Sequence, residues 1–539
     1  MNTNIPRQTG QRCQRVTDGF LAVRGDYSGY SRRPSGAQPP VPVVAELQQP
    51  RLAPVPTTPI KSKSLIQQPA AVNAPAVDAV PKFALPVYVP PARSGKIVRK
   101  RRSWLRLALR GMAVSFGVLL IISGSLFWRM YDNLHKVFRG NDTVAALSAE
   151  HVAPGLLKGE GDGRVNILLL GIGGKNHDGG DLTDTMVVLS VDPANSKAAM
   201  LSIPRDLWVK MPVNYFGAYQ KINAAYSSGK YTYLGKNDRA NTGQQAVEAG
   251  FASVDQAVGD VLGIAINYHV LVDFQAFEQA VNTVNGVTLD VKEQLYDPTM
   301  AWENANNPVL AAAGLQTMNG KQALMYARSR ETSSDFARSE RQRQLLIALK
   351  QKMLTLGTLS NPTKIDSLMS AFGDNVQTDL STKAAARLYD IMKKINDGEI
   401  TSLSLTAPTS LVTTDRVGAV SVVRPKAGFN TYGDIQAYVK AQLPDGYLVK
   451  ERAGVYVVGA NDALRAHTVT MLSGYGYRIT GSSVVTTVPS GATIVDLTGG
   501  EKPYTQHYLQ DRYGVAAQSN LPDGLQVPQD AQFVIIAGT

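Results

Sequence analysis

Eighteen consecutive residues, Gly111 to Trp128 (GMAVSFGVLLIISGSLFW), carry no charge. That length is the lower end of what a helix needs to cross a bilayer, and a run so uniformly apolar has no polar face to offer water. It follows a stretch, Arg93 to Arg110, with eight Lys/Arg and no acid, and Trp104 and Trp128 stand where interfacial aromatics are expected. The positive-inside rule then places the N-terminus in the cytoplasm and the residues beyond about 130 outside. A cleaved signal peptide is the competing reading, but far too many residues precede the apolar run. Residues 104–130 are therefore expected to be a single-pass signal anchor in the cell membrane, with the folded domains extracytoplasmic.

The formal net charge of +12 would ordinarily suggest nucleic acid or an anionic surface. Residues 1–110, however, hold 18 Lys/Arg and 4 Asp/Glu, which leaves 37 basic against 39 acidic residues in the rest. The basic character belongs to the N-terminal segment, so no nucleic-acid partner is expected. Residues 1–100 also hold 15 of the 29 prolines. Such a composition buries too little apolar surface to offset chain entropy, and residues 1–103 read as a disordered, basic cytoplasmic tail. Its membrane-proximal basic run either holds anionic membrane lipid or is a topology signal only. Cys13 is the only cysteine, so the residues after it have no disulfide, thiolate metal site or cysteine nucleophile.

After a linker expected at 131–160, periodicity changes. VNILLLG, TMVVLSVD and KAAMLSIP are strand runs, with Pro193-Ala194-Asn195 turning between the last two. Gln244–Gly263 has helical spacing, Ile266–Asp273 reads as a strand, and FQAFEQAVNTVNG as a helix closed by Gly286. A further helix begins near Asn319, and SERQRQLLIALKQKMLTLG gives a long one. This order predicts an α/β class, an α/β or α/β/α sandwich.

Three polar clusters interrupt the scaffold. Asp178, Asp181 and Asp184 lie in GIGGKNHDGGDLTDT; Arg205 and Asp206 follow a strand ended by Pro204; and Arg328, Arg330, Arg338, Arg341 and Arg343 crowd one stretch. The glycines give only Gly171-x-Gly173 and the next strand follows directly, which weakens a nucleotide-loop reading. Arg328 and Arg330 point the same way only if the chain is extended after Tyr326, whereas Arg338 and Gln342 share a helix face. Converging guanidiniums repel unless an anion lies between them, and their planar fork suits phosphate or pyrophosphate. The bland alternative is a solvated basic helix end.

These blocks, in order LLLG, LTDTMVVLSVDP, SIPRDLWV, KINAAYSSG, YHVLVDFQAF, VNGV, GLQTMNGKQALMYARSR and DFARSERQRQ, resemble the LytR-CpsA-Psr family of cell-envelope proteins. SVVRPKAGFNTYGDIQAYV extends the likeness, giving a catalytic domain at 161–443. The resemblance implies an α/β/α sandwich with a hydrophobic tunnel and one N-terminal transmembrane helix. It also implies transfer of a glycopolymer from a polyprenyl-pyrophosphate carrier onto peptidoglycan, assisted by Mg2+. Carried over residue by residue, it makes Asp184 a metal-associated aspartate, Arg205 a phosphate-binding arginine with Asp206 beside it, and Lys221 a substrate-binding base. Arg328 and Arg330 match its paired arginines, and Arg338 and Gln342 the arginine and glutamine of the following helix.

The chain departs from the family pattern at Gly173 and Leu182, where members commonly have aspartate and arginine, leaving Asp181 or Asp178 to complete the metal site. His177 reads as an exposed loop residue, and Asp206 as either general base or orienter of Arg205. Residues 451–539 alternate strands and helices and resemble a LytR C-terminal domain, for wall or partner binding, spacing or stability. The competing functions are a polyprenyl-pyrophosphate hydrolase, a non-catalytic wall-binding or regulatory protein, and a transcriptional regulator.

Overall fold

The computed structural model describes residues 144–538 apart from 149–150, 176, 178, 237–242, 331–334, 356–371, 374 and 407, together with Met112, Ser125 and Trp128. The expected tail 1–103, nearly all of the span at 104–130 and Asp178 lie outside the described residues. Among the described residues no helix is long and apolar enough to cross a membrane.

The apolar runs become a six-stranded sheet. Its strands are β1 (Val165–Ile172), β2 (Thr183–Asp192), β3 (Lys197–Ser202), β4 (Tyr268–Asp273), β5 (Val376–Thr378) and β6 (Ile400–Ser404), in the spatial order β5-β4-β1-β2-β3-β6. β1, β2 and β3 form an antiparallel meander, while β4 runs parallel to β1 and β6 parallel to β3. Both faces are buried, which is why these strands read as continuous apolar runs instead of alternating ones. Val165, Ile167, Val187, Val191 and Met200 pack with Ala384, Ile391 and Leu346 of two helices, α5 and α6 below. The alternate residues Leu168, Leu170, Val188 and Leu201 are buried as well.

The helices are α1 (Ala225–Lys236), α2 (Gly243–Leu262), α3 (Phe274–Thr283), α4 (Gly320–Arg328), α5 (Asp335–Thr355) and α6 (Thr382–Lys394). α1 and α2 approach closely because small residues face each other: a Cβ on Gly229 would lie 2.3 Å from the Ala249 carbonyl oxygen. Local chemistry sets the helix starts. Asp273 caps α3 by accepting the Ala276 N–H at 2.8 Å, and Asn319 with Gln322 forms a reciprocal capping box at α4. The mixed α/β class expected from the strand–helix order is what the chain adopts.

Between α3 and α4 the chain makes an excursion. Val287–Val291 pairs with Gly314–Met318, and Leu295–Tyr296 with Val309–Ala311, around a 3-10 segment, Pro298–Asn304. A hairpin, Val412–Val417 with Val420–Pro425, was not anticipated as a pair of strands.

The C-terminal residues form a second sheet of β7 (Gly454–Gly459), β8 (Arg478–Val484), β9 (Ala492–Asp496), β10 (Ala517–Gln518) and β11 (Phe533–Ala537), ordered β8-β7-β11-β9-β10. Helices α7 (Gly433–Gln442) and α8 (Gly446–Glu451) lead into it, and α9 (Asp462–Gly474) and α10 (Pro503–Tyr513) pack on it. The segment before β1, expected as linker to residue 160, is built into this domain. Val152 and Leu157 join Val455, Leu472, Tyr508 and Phe533 in one core. The Tyr504 hydroxyl donates to the Val152 carbonyl at 2.6 Å, and Arg512 donates to Glu160 at 2.7 and 2.8 Å. Asp445, 2% exposed, accepts the N–H groups of Gly161, Gly163, Tyr447 and Leu448 and the Tyr508 hydroxyl.

Candidate functional site

β3 runs out at Ser202, and Pro204 cannot continue a ladder, so the chain turns at Arg205 and Asp206. This turn is held from two sides by backbone bonds. Asn223 N–H donates to the Arg205 carbonyl at 3.2 Å, and Val423 N–H, from the C-terminal hairpin, donates to the Asp206 carbonyl at 2.9 Å.

Arg205 pairs with Asp184 on neighbouring β2 and lies 3.7 Å from the carboxylate of Asp206. Lys221 reaches the other oxygen of Asp206 at 2.7 Å, while Arg330 approaches the oxygen that Arg205 faces, at 3.6 Å. Three cations therefore meet one carboxylate. Burial alone would raise the Asp206 pKa, but the Lys221 hydrogen bond and the charges of Arg205, Lys221 and Arg330 outweigh it and hold the carboxyl below its ordinary range. A carboxylate so stabilised is a weak proton acceptor, so its geometry is that of an orienter of cations.

Arg328 and Arg330 diverge. α4 continues through Arg328, two residues beyond the extended turn contemplated at Tyr326, and Ser329 is the first extended residue. Arg328 pairs with Glu303 at 2.8 Å and stacks over the Phe274 ring at 4.7 Å. The turn itself is fixed by Asp297, which the sequence did not single out, and by Arg341 of the arginine cluster. Buried Asp297 accepts the Ser329 hydroxyl at 2.7 Å and the Arg330 N–H at 3.2 Å. Buried Arg341 donates to the carbonyls of Tyr326 and Ser329. Gln342 donates to the Thr185 hydroxyl at 3.2 Å, which sets the face of α5 that it shares with Arg338 against the strand carrying Asp184. Arg338 is itself buried, at 6% exposure, and Arg343 is bound to Glu340 one turn earlier.

Asp181 does not join Asp184. Both its oxygens accept from Lys230, at 2.8 and 2.9 Å, and one also from the Tyr231 hydroxyl at 2.7 Å. At Gly173 a Cβ would lie 2.6–2.7 Å from the His177 ring, so that imidazole fills the space a side chain at 173 would need. The ring meets Phe274 edge-on at 5.3 Å. Among the described residues no group of three His, Cys, Asp or Glu is arranged to hold a metal ion.

Sequence reasoning thus located Arg205, Asp206, Lys221 and Arg330, which the fold brings together, and Asp184 and Gln342 beside them. It missed Glu303, Asp297 and Phe274. Of these only Asp297 had a readable signal, an acid before Pro298 and Thr299, as expected of a capping turn.

Comparison with known proteins gives the wider context. The LytR_cpsA_psr family model matches residues 132–427. The polyisoprenyl-teichoic acid–peptidoglycan teichoic acid transferase TagV of Bacillus subtilis is 32% identical over 226 residues, covering 42% of this chain and 51% of the relative, so the match spans about half that protein's length. The enzyme of the same activity from Oceanobacillus iheyensis, TagU, is 32% identical over 290 residues, covering 52% of this chain and 79% of its own. The crystal structure of B. subtilis TagV aligns with 52% of this chain and 97% of its own, at 27% identity and a TM-score of 0.40.

Proposed function

From its membership of the LytR_cpsA_psr family, to which this chain belongs, we propose that it transfers a glycopolymer from a polyprenyl-pyrophosphate carrier onto peptidoglycan. The observation that carries the reading is the meeting of Arg205, Lys221 and Arg330 on Asp206. These are forked and point cations already aimed at one place, where a pyrophosphate can substitute for carboxylate oxygens.

A wall-sugar hydroxyl attacks the phosphorus that bears the glycan. The new P–O bond joins polymer to wall, the bond to the lipid-side phosphate breaks, and polyprenyl phosphate leaves with the electron pair. Such a transfer needs alignment and charge neutralisation more than covalent help. Arg205, Arg330 and, on exchanging Glu303 for phosphate, Arg328 neutralise the transferring phosphoryl group. Lys221 neutralises the leaving phosphate, and Asp206 keeps Arg205, Arg330 and Lys221 in register. The hydroxyl proton passes to solvent.

Magnesium is part of the proposal. Hard Mg2+ takes one or two carboxylates besides phosphate and water. Asp184, whose side chain is 31% exposed, fits as one such ligand, while Asp181 is already bound on both oxygens. The ion would supply further neutralisation of pyrophosphate charge. The apolar tunnel for the lipid and the transmembrane anchor belong to the same proposal. A cavity of about 360 Å³ beside α2 has Val247, Phe251 and Ala252 in its wall but also Glu248, Asp255, His269 and Asp379, so its lining is not that of an apolar tunnel.

The test is an Arg328→Ala variant supplied with a lipid-linked donor, with and without peptidoglycan. Loss of polymer transfer with unchanged folding supports the site, and near-normal transfer overturns it. Release of polymer without peptidoglycan identifies the hydrolase instead. Protease accessibility of residues beyond 130 in intact cells tests the orientation.

A further inference from the structure

The excursion between α3 and α4 holds a feature the proposed reaction has not used. Trp302 is 73% exposed, on the 3-10 segment Pro298–Asn304, and the next residue, Glu303, is the partner of Arg328. A tryptophan is usually well covered, so this indole forfeits a large burial term.

The backbone beneath it is not loose. Ala305 and Asn306 both take left-handed conformations, φ 51° and 64°, which L-residues adopt at a cost. Asn306 N–H donates to the Ala301 carbonyl at 2.8 Å, and the Asn304 amide donates to the carbonyls of Asn307 and Val309 at 3.0 and 2.9 Å. A strained, fully hydrogen-bonded turn presents an apolar ring to solvent, one residue from a group bound to a candidate catalytic arginine.

The charge of this region selects the occupant. Between residues 287 and 318 there are four acids, Asp290, Glu293, Asp297 and Glu303, and one base, Lys292. Asp290 is paired with Lys292 and Glu303 with Arg328, and Asp297 is buried, so the surface is close to neutral. It gives an anionic membrane or a phosphate-bearing polymer no unpaired base of its own to bind. A neutral sugar needs none. Pyranose rings present faces of C–H groups that stack on the electron-rich face of an indole, and exposed amides such as Asn306 and Asn307 offer hydrogen bonds to hydroxyls. We infer that Trp302 is the platform on which the acceptor glycan stacks, setting its hydroxyl against the phosphate held by Arg328. This rests on the transferase reading, because only that reaction needs a glycan acceptor.

The experiment measures binding of a β-1,4-linked N-acetylhexosamine tetrasaccharide to the full chain in nanodiscs, for wild type, Trp302→Ala and Trp302→Phe. The expected result is a roughly tenfold loss of affinity in Trp302→Ala, with most affinity kept by Trp302→Phe. The acceptor KM should rise in Trp302→Ala while binding of the lipid-linked donor stays unchanged. Equal affinities in wild type and Trp302→Ala overturn the inference. So does quenching of Trp302 by brominated lipid, judged against Trp302→Phe, which would place the ring in the bilayer. If tetrasaccharide binding depends on Trp302 but wild type transfers no polymer, the platform stands and the transferase reading falls.

Discussion

Asp206 and Asp445 are both carboxylates held by several donors, yet their surroundings move them in opposite directions. Asp206 faces Arg205, Lys221 and Arg330, and those charges hold its carboxyl below the ordinary range against the effect of burial. Asp445 takes its hydrogen bonds from neutral donors, backbone N–H groups and a tyrosine hydroxyl, and even with buried Arg164 near enough to feel its charge, burial pushes its carboxyl up. Neutral donors close every lone pair and make a brace. Charged side chains gathered on one partly exposed acid make a place where another anion can be held by the same cations. Charge type, more than the number of hydrogen bonds, separates machinery from structure here.

Substitutions at the two centres should break this contrast if it is wrong. Arg205→Ala should lower polymer transfer by about 100- to 1000-fold, the range for losing one preorganised transition-state contact, with the urea midpoint little changed. A comparable loss of stability would make Arg205 part of the brace. Asp445→Ala strands buried N–H groups and should cost about 3–5 kcal/mol in urea unfolding, with transfer by the remaining folded protein near normal.

Acidification separates the two centres more finely. Asp206 has a depressed folded pKa, so its contribution is present above the ordinary value of 3.8 and is lost only as pH falls below it. Asp445 has a raised folded pKa, so its contribution is fully present below 3.8 and is lost as pH rises through the raised value. Amide exchange at 205–207 should therefore quicken on acidification below pH 3.8 while that at Tyr447 and Leu448 does not. The same response at both would remove the distinction. The smallest effect belongs to Arg343→Ala, an i,i+3 partner of Glu340, which should cost about 0.5 kcal/mol or less and leave transfer intact.

What could be read beforehand follows the range of the interactions. Buried strands, helix caps at Asp273 and Asn319, and the exit of β3 at Pro204 are local, and each left a periodic or positional mark. Lys221 and Arg330 were reachable because ordered motifs carried them. Glu303 left no mark, since its pairing with Arg328 spans 25 residues and a surface glutamate looks the same without it. The filling of the Gly173 space by His177 was equally hidden, because a loop histidine has no pattern that says which way it folds. Residues 152–160 read as linker for the same reason: Val152 and Leu157 are too few to show periodicity, and the core they join is built from residues beyond 446.

That separation has a consequence for the order in which the molecule is made. Glu160 meets Arg512 across 352 positions, and Gly163 meets Asp445 across 282. A chain delivered from its N-terminus must therefore keep the approach to its first strand unsealed until Asp445 and Arg512 emerge. Closing contacts of this range is slow, and the waiting segment is exposed meanwhile. The small second domain is in this sense a latch set long after the first strand is made, and a chain stopped before α10 would carry its whole candidate site with the entrance to the fold still open.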